Sequence, residues 1–303
     1  MAKIGFIGLG NMGLPMAKNL IKAEHSVCGY DISAVALDKL SAAGGIAARS
    51  LDVASMGVDV VITMLPGREQ VREVYLGQGG VLASAAAATL LIDCSTVDVE
   101  TARAVAAAAK VNELDMLDAP VSGGVSGAES GTLTFMVGGP EQAVERAKPV
   151  LDAMGKAVIH VGEAGSGQAA KICNNMILGI SMIAVSEAFV LAEKLGLDPK
   201  KLFEVSAQST SQCWSMTSYC PMPGLVPSSP ANNDYQPGFT VALMLKDLKL
   251  AQDAARSTRA VAPLSAGATA IYQHFFDGGG AGTDFSGIIR YLRDASAARA
   301  EQS

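Results

Sequence analysis

The sequence predicts an α/β protein: an N-terminal Rossmann-type domain with a doubly wound, mostly parallel sheet, and a C-terminal all-helical domain joined to it by a long helix. Three observations predict this class. Strand and helix patterns alternate through the first half of the chain, a glycine-rich turn follows the first strand, and strand patterns end near Gly162. Such alternation is typical of a parallel sheet with helices on both faces. We place the domains at residues 1–163 and 164–303.

Short apolar runs and helical periodicity define the elements of the first domain. Strand patterns occur near residues 3–7, 26–30, 59–64, 89–93, 114–118, 133–138 and 157–161. Helical patterns lie between most of them, at 12–23, 33–43, 68–75, 98–111 and 141–152. The run 131–139, which closes in Gly-Gly-Pro, is interpreted as an extra strand at the sheet edge.

The second domain begins with one long helical pattern, from Gln168 to Leu195, which Gly196 ends. At 1.5 Å per residue this helix would be about 40 Å long, so we expect it to join two domains or to lie in a subunit interface. Further helical patterns cover 199–207, 240–258, 262–276 and 285–293, and a proline-rich irregular stretch occupies 220–238.

Composition argues against several classes of partner. The net charge is −6 and no basic tract occurs, so nucleic acid and anionic membranes are poor candidates. The apolar stretch 176–192 contains Ser181, Ser186 and Glu187, whereas a membrane helix needs about 20 predominantly apolar residues, so we expect a buried helix and no membrane contact. The five cysteines form no C-x-x-C pair or Cys/His cluster, which indicates reduced thiols, no metal site and a cytoplasmic location.

The turn after the first strand carries the most specific motif. Gly8, Gly10 and Gly13 have the spacing G-x-G-x-x-G between a strand and a helix, the context in which this motif binds a dinucleotide. The three glycines allow a sharp turn, close approach of the backbone to a pyrophosphate, and tight packing of the helix. Asp31 ends the second strand pattern and is placed to bind the ribose hydroxyls of NAD, although a surface turn with a helix-capping Asp would look similar.

Segment 118–124, Asp-Ala-Pro-Val-Ser-Gly-Gly, follows a strand and should lie at the carboxyl edge of the sheet. The Ser122 hydroxyl and the N–H groups of Gly123 and Gly124 suit a carboxylate ligand, but an ordinary glycine-rich turn fits the spacing equally well.

Two lysine motifs are candidates for proton transfer. Lys171 lies in an otherwise apolar part of the long helix and Asn175 follows one turn later on the same face. A charged lysine is costly to bury, so Lys171 is either functional or extends its ammonium group to water. Lys246 and Asp247 lie near the start of the helical pattern 240–258, where a solvated charged face is the simpler interpretation. The three histidines are less suitably placed, which favours a lysine.

Taken together, these motifs resemble the 3-hydroxyisobutyrate dehydrogenase family of β-hydroxyacid dehydrogenases over nearly the whole chain. Residues 6–17, Phe-Ile-Gly-Leu-Gly-Asn-Met-Gly-Leu-Pro-Met-Ala, are similar to the family signature, and 118–124 to its substrate-binding motif. Residues 167–175, Gly-Gln-Ala-Ala-Lys-Ile-Cys-Asn-Asn, resemble the catalytic motif, and Lys246-Asp247 the second lysine motif.

The resemblance implies site residues that spacing alone does not. The implied catalytic residues are Lys171, Asn175 and Ser122. The implied contacts with NAD are Gly8, Leu9, Gly10, Asn11, Met12, Gly13, Asp31, Met64, Leu65, Pro66, Thr96 and Lys246. The implied substrate contacts are Ser122, Gly123, Gly124, Lys171, Asn175, Trp214, Tyr219, Phe239, Lys246 and Asp247. The resemblance also implies a homodimer or homotetramer.

The loop 214–239 is similar to that of the 3-hydroxyisobutyrate dehydrogenases themselves, although Cys220 and Met222 depart from the commoner residues. The implied reaction is the reversible NAD-dependent oxidation of (S)-3-hydroxyisobutyrate to methylmalonate semialdehyde in valine catabolism, with a lysine acid/base and no metal. A related enzyme for L-serine, tartronate semialdehyde, succinic semialdehyde or another short 3-hydroxy acid is the nearest alternative. A non-catalytic NAD-binding sensor is a second one, which the presence of Lys171, Asn175 and the Ser122 motif argues against.

Overall fold

The computed structural model describes residues 1–300 and divides them into two compact units, Met1–Lys171 and the remainder from Ile172. The first unit is built on a nine-stranded sheet with the strand order β3-β2-β1-β4-β5-β6-β8-β7, and β9 pairs with β8. The strands are β1 Lys3–Ile7, β2 Ser26–Tyr30, β3 Ile46–Ala47, β4 Val60–Thr63, β5 Leu90–Asp93, β6 Asp115–Asp118, β7 Val121–Ser122, β8 Leu133–Gly138 and β9 Gly155–Gly162.

The helices of the first unit connect these strands in sequence. They are α1 Gly13–Lys22, α2 Ala34–Ala42, α3 Leu51–Ser55, α4 Arg68–Leu76, α5 Val81–Ser84, α6 Val99–Val111, α7 Gly124–Ser130 and α8 Glu141–Asp152. All neighbouring strands from β3 to β6 are parallel, as is the pair β8 and β9, whereas β8 runs antiparallel to β6 and β7. The predicted α/β class with a mostly parallel, doubly wound sheet is therefore confirmed.

Alternate residues of the central strands supply two separate hydrophobic cores, one on each face of the sheet. In β4, Val60 and Ile62 belong to one core while Val61 belongs to the other, and β5 shows the same alternation. Successive side chains of a strand point to opposite faces, so both faces of these strands are covered.

The prediction of an edge strand at 131–139 is wrong. Strand β8 pairs with β6 and β7 on one side and with β9 on the other, so it lies inside the sheet. The eight-residue β9 extends the sheet past β8, and the 157–161 pattern captured only its middle. The short helices α3, α5 and α7, like the short strands β3 and β7, were also absent from the sequence prediction.

The second unit is helical among its described residues. Its elements are the greater part of α9 Ser166–Lys194, then α10 Pro199–Ser206, α11 Trp214–Thr217, α12 Val241–Thr258, α13 Pro263–Phe275 and α14 Ile288–Ala300, with 3₁₀ turns at Pro230–Asn233 and Phe285–Gly287 and a π turn at Phe276–Gly280. The boundary between the two units falls within α9, after Lys171.

Helix α9 supplies side chains to both hydrophobic clusters of the second unit. Met182 and Ile183 pack with α12, α13 and the start of α14, while Val185 and Phe189 pack with the irregular segment 216–235. By length and composition alone α9 could span a bilayer, and half of its most apolar stretch is buried within the protein. The core helices of globular proteins share this combination of length, apolarity and burial.

Candidate active site

The glycine-rich turn forms a cradle that fits a dinucleotide. Gly8 has a φ of 91°, and a Cβ on it would lie 2.3 Å from the Met64 carbonyl oxygen. A Cβ on Gly13 would lie 1.9 Å from the Gly8 carbonyl oxygen, so helix α1 packs against the turn as only glycine allows. The exposed Gly10 has open space at its Cβ position, which leaves its backbone accessible to a phosphate group.

The start of α1 is also suited to an anion. The helix begins at Gly13, no described side chain caps its first N–H groups, and its first turn contains no acidic residue. Together with the helix dipole, such N–H groups favour a negatively charged phosphate. A cavity of about 710 Å³ adjoins this turn; it is lined in part by Leu9, Gly10, Asn11, Asp31 and Lys39.

Asp31 is oriented by the turn that it faces. One carboxylate oxygen accepts a hydrogen bond from the Leu9 N–H (2.6 Å) and the other from the Ser33 N–H (2.8 Å). Asp31 lines the same cavity as Gly10, so the two parts of the fingerprint, separate in sequence, lie together. A carboxylate in this position suits the two ribose hydroxyls of NAD.

The segments after β4 and β5 are held by a buried polar network. The Asp93 carboxylate accepts hydrogen bonds from the Thr63 hydroxyl (2.7 Å) and the Ser95 N–H (3.0 Å), while the Ser95 hydroxyl accepts one from the Leu65 N–H (2.9 Å). Burial raises the pKa of Asp93. This network fixes the backbone beside the predicted cofactor contacts Met64, Leu65, Pro66 and Thr96, and sequence patterns gave no sign of it.

Gln168 connects the segment after β5 to the start of α9. Its side-chain oxygen accepts a hydrogen bond from the Val97 N–H (3.0 Å), and its amide nitrogen donates to the Ser95 carbonyl oxygen (2.8 Å). Gln168 is fully buried and lies one turn before Lys171. The sequence signal that could have indicated this role is the presence of a glutamine in an otherwise apolar helical pattern.

Asp118 anchors the same helix start from the end of β6. Its two carboxylate oxygens accept hydrogen bonds from the Gly165 N–H (2.7 Å) and the Gln168 N–H (2.9 Å). Burial nevertheless raises the pKa of Asp118 to about 6, because the loss of solvation outweighs these two hydrogen bonds. The first residue of the 118–124 motif is therefore a structural anchor for the helix that carries Lys171.

The raised pKa of Asp118 predicts a pH-dependent contribution to stability. The folded chain binds this proton more tightly than the unfolded chain, where the pKa is 3.8, so the contribution is greatest at low pH and is lost as pH rises from about 4 to about 6. Relative to Asp118→Asn, the wild-type free energy of unfolding should fall by on the order of 3 kcal/mol across that window. Urea unfolding at several pH values measures it.

The control for this measurement is Asp115→Asn, which changes a partly exposed residue on the same strand. This variant should follow the wild-type pH profile closely. If the difference between wild type and Asp118→Asn is constant from pH 4 to pH 7, the Asp118 carboxyl does not titrate in this range.

The predicted carboxylate-binding segment combines a short strand with the first residue of a helix. Ser122 ends β7 and is partly exposed, while Gly123 and Gly124 adopt φ values of 141° and 62° and lead into α7. These positive φ values favour glycine at both positions. Gly124 begins a helix and does not lie in a simple turn.

The predicted residues of α9 are both buried. Lys171 is 7% exposed and Asn175, four residues further along the helix, is 2% exposed. The Asn175 amide nitrogen donates to the Asp247 carboxylate (2.5 Å), and its oxygen accepts a hydrogen bond from Asn174 (3.0 Å). Asp247 therefore orients the Asn175 amide from a position 72 residues away.

The second lysine motif is not a fully solvated helix face. Asp247 is buried, and its other carboxylate oxygen lies 3.6 Å from the Lys246 ammonium nitrogen. The Lys246 side chain itself is 34% exposed. The structure thus brings Asn175, Lys246 and Asp247 together within the second unit.

The three aromatic residues predicted to contact substrate also form one group. The rings of Trp214 and Tyr219 stack with centroids 4.7 Å apart, and both Tyr219 and Phe239 contact the buried ring of Phe285, at 5.5 Å and 5.7 Å. Trp214 is half exposed at one end of this group. Among residues 1–300, no cluster of three or more His, Cys, Asp or Glu side chains is arranged to hold a metal ion.

Two family models together match nearly the whole chain. The NAD binding domain of 6-phosphogluconate dehydrogenase matches residues 3–162. The model described as NAD-binding of NADP-dependent 3-hydroxyisobutyrate dehydrogenase matches residues 165–292.

Similar proteins extend over the same length. A 3-hydroxyisobutyrate dehydrogenase of Pseudomonas aeruginosa is 48% identical, covering 97% of this chain and 99% of its own. An NAD-dependent L-serine dehydrogenase of the same organism is 46% identical, covering 97% and 98%. The solved structure of the Mycobacterium tuberculosis 3-hydroxyisobutyrate dehydrogenase with L-serine is 52% identical, with a TM-score of 0.93 and coverage of 97% and 99%.

Proposed function

Because the chain belongs to the 3-hydroxyisobutyrate dehydrogenase family and is an NAD-dependent oxidoreductase, we propose that it oxidises (S)-3-hydroxyisobutyrate to methylmalonate semialdehyde in valine catabolism. The observation that carries the proposal is the buried Lys171, one helical turn before an Asn175 that Asp247 orients. We also keep the domain division at 1–163 and 164–303, which the limits of the two family models support.

The first unit supplies the residues that would hold NAD. The N–H groups around Gly10 and the start of α1 would bind the diphosphate, and Asp31 the adenosine ribose. Leu9, Asn11, Met12, Met64, Leu65, Pro66 and Thr96 would complete the cofactor contacts, together with Lys246 from the second unit. When bound, NAD⁺ accepts the hydride that leaves the substrate carbon.

The substrate carboxylate needs several hydrogen-bond donors and positive charge. Ser122, Gly123 and Gly124 would supply a hydroxyl and two N–H groups, and Lys246 a positive charge. The aromatic residues Trp214, Tyr219 and Phe239 would contact the apolar part of the substrate. Asp247 would act on the substrate indirectly, by orienting the Asn175 amide.

The substrate hydroxyl must lose its proton during oxidation, and Lys171 is the proposed base. Its neutral amine would accept that proton, and its ammonium would return one to the carbonyl oxygen in the reverse reaction. Asn175 would hold the substrate oxygen in line, because Asp247 fixes the orientation of its amide. The proposed proton transfer uses no metal.

Ser122→Ala should raise the KM for the hydroxy acid and leave the KM for NAD⁺ nearly unchanged. The substitution removes one donor to a charged group, a loss of roughly 1.5–3 kcal/mol, which corresponds to about tenfold or more. Steady-state kinetics at saturating NAD⁺ measures it, with Ser126→Ala, an exposed position in α7, as the control. Unaltered kinetics on the acid would place the carboxylate elsewhere.

A second substrate is favoured by two of the similar proteins. One is an NAD-dependent L-serine dehydrogenase, and a structure at 52% identity contains L-serine, which is itself a 3-hydroxy acid. Spectrophotometric NADH formation at fixed NAD⁺ with both 3-hydroxyisobutyrate enantiomers, L-serine, 3-hydroxypropionate and glycerate decides between them. The proposal requires the highest kcat/KM for (S)-3-hydroxyisobutyrate. Tight NADH binding without activity on any of these acids would instead favour a sensor.

We further propose a cytoplasmic homodimer or homotetramer. A number of large apolar side chains are exposed on the single chain, including Ile177, Leu191 and Leu195 on or just after α9. Exposed apolar groups of this kind are typical of surfaces that pair with another subunit. Light scattering coupled to size-exclusion chromatography gives the mass in solution, and a monomer would contradict the proposal.

A further inference from the structure

The second unit contains a fully buried carboxylate, Asp284, that the proposed chemistry does not use. It lies just before the 3₁₀ turn Phe285–Gly287, and one of its oxygens accepts hydrogen bonds from the Ser286 N–H (3.0 Å) and hydroxyl (2.6 Å). This oxygen therefore accepts hydrogen bonds only from within its own turn. A buried charge requires further partners, because its desolvation is costly.

The other oxygen of Asp284 has such partners, and they come from both ends of the loop 214–239. It accepts hydrogen bonds from the Tyr219 hydroxyl (2.9 Å) and from the N–H groups of Gly238 (3.0 Å) and Phe239 (3.1 Å). The backbone reinforces the connection, since the Asp284 N–H donates to the Tyr235 carbonyl oxygen (2.9 Å). Two segments almost twenty residues apart thus converge on one atom.

The hydrogen bond to Asp284 determines the protonation and the position of Tyr219. Its hydroxyl proton is donated to the carboxylate, and burial together with the charge of Asp284 raises the pKa of Tyr219 far above its ordinary value. A Cβ on Gly238 would lie 2.8 Å from the Tyr219 hydroxyl oxygen, so this phenol also packs closely against the loop backbone. Tyr219 is therefore held at its hydroxyl by Asp284 and on its ring by Trp214 and Phe285.

We propose that Asp284 is a positioning residue that closes the loop 214–239 and thereby fixes the aromatic group formed by Trp214, Tyr219 and Phe239. This inference rests on the proposed function for the role of that group in binding the hydroxy acid. Tyr219 would then shape the binding surface with its ring and would not donate a proton to the substrate.

Tryptophan fluorescence reports directly on this loop, because Trp214 is the only tryptophan in the sequence. The experiment compares acrylamide quenching of Trp214 fluorescence and steady-state kinetics in wild type, Tyr219→Phe and Asp284→Asn. Tyr219→Phe keeps the ring and removes only the hydroxyl donor. Asp284→Asn keeps the shape but removes the charge and one acceptor, so that whichever way the amide is turned its NH2 group faces a backbone N–H, that of Ser286 or those of Gly238 and Phe239.

In both variants we expect quenching of Trp214 to increase and the KM for the best hydroxy-acid substrate to rise by roughly fivefold or more, the effect of losing or weakening one hydrogen bond to a charged group. The kcat should stay within about threefold and the KM for NAD⁺ should not change. Asp277→Asn, at an exposed position seven residues earlier, is the control and should match wild type in every measurement.

Unchanged Trp214 quenching and unchanged KM in Tyr219→Phe would overturn the inference, even if Asp284→Asn fails to fold. A parallel loss of kcat and of NAD⁺ affinity would also overturn it, because that pattern indicates general destabilisation. Failure of the proposed function is distinguishable: the quenching measurement needs no substrate, and the substrate panel on wild type identifies the acid used for kinetics.

Discussion

Replacing Lys171 by alanine is expected to lower kcat for oxidation of the hydroxy acid by at least ~10², with NADH binding and the fold retained. The expected loss follows from the proposed chemistry, in which the Lys171 amine is the base that accepts the hydroxyl proton. The side chain is buried near the start of α9, whose first turn is held by Asp118 and Gln168. These anchors should keep the helix in place in the variant.

Two further variants sharpen the test. Lys171→Arg should not restore activity, because guanidinium does not give up its proton in a protein. Lys194→Ala changes an exposed lysine at the other end of the same helix and should leave kcat unchanged. Oxidation by wild type should accelerate with rising pH, since only the neutral amine accepts a proton. If Lys171→Ala keeps more than a tenth of the wild-type kcat in a pre-steady-state measurement of chemistry, Lys246 becomes the next candidate.

The main elements of this fold could be predicted from sequence because their signals are local. The strand, glycine turn and helix around Gly8 are adjacent residues, and the apolar runs of β4 and β5 lie wholly within the sheet. Helix α7 was missed because Gly124 and Gly127 lower its helix propensity, so only the packing around it reveals it. The interior position of β8 depends on pairing with β9, a contact that no local pattern records.

The same distinction explains which residues of the candidate site had a signal in the sequence. Motif spacing and resemblance pointed to Lys171, Asn175 and Asp31. The residues that orient the candidate site, Asp118, Gln168 and Asp284, act through hydrogen bonds to distant backbone groups, and such contacts have no fixed spacing in sequence. The unpredicted part of the site is therefore its supporting network, which forms only when the chain folds.

The choice of cofactor gives the second large effect: wild type should prefer NAD⁺ over NADP⁺ in kcat/KM by well over tenfold, more than about 1.4 kcal/mol. The Asp31 carboxylate would accept hydrogen bonds from the ribose hydroxyls and repel a 2′-phosphate. Three lysines, Lys18, Lys22 and Lys39, line the same cavity together with two carboxylates, Asp31 and Glu129, so the cationic groups outnumber the anionic ones. The selectivity must therefore come from the position of the Asp31 charge, and not from the net charge of the cavity.

Asp31→Asn combined with Ile32→Arg should shift the preference toward NADP⁺ by at least a further factor of ~10, because it removes the repulsion and adds a guanidinium for the phosphate. Ile32 is 97% exposed, so an arginine fits there without disturbing the core. The double variant also loses one hydrogen bond. The two oxygens of Asp31 accept hydrogen bonds from the N–H groups of Leu9 and Ser33, whereas an asparagine amide can accept only with its single oxygen. Ile32→Arg alone is the matched control, because it adds the cation and leaves both hydrogen bonds intact; it should shift the preference less than the double variant. Equal kcat/KM values for the two cofactors in wild type would show that Asp31 does not discriminate between the ribose hydroxyls of NAD⁺ and the 2′-phosphate of NADP⁺.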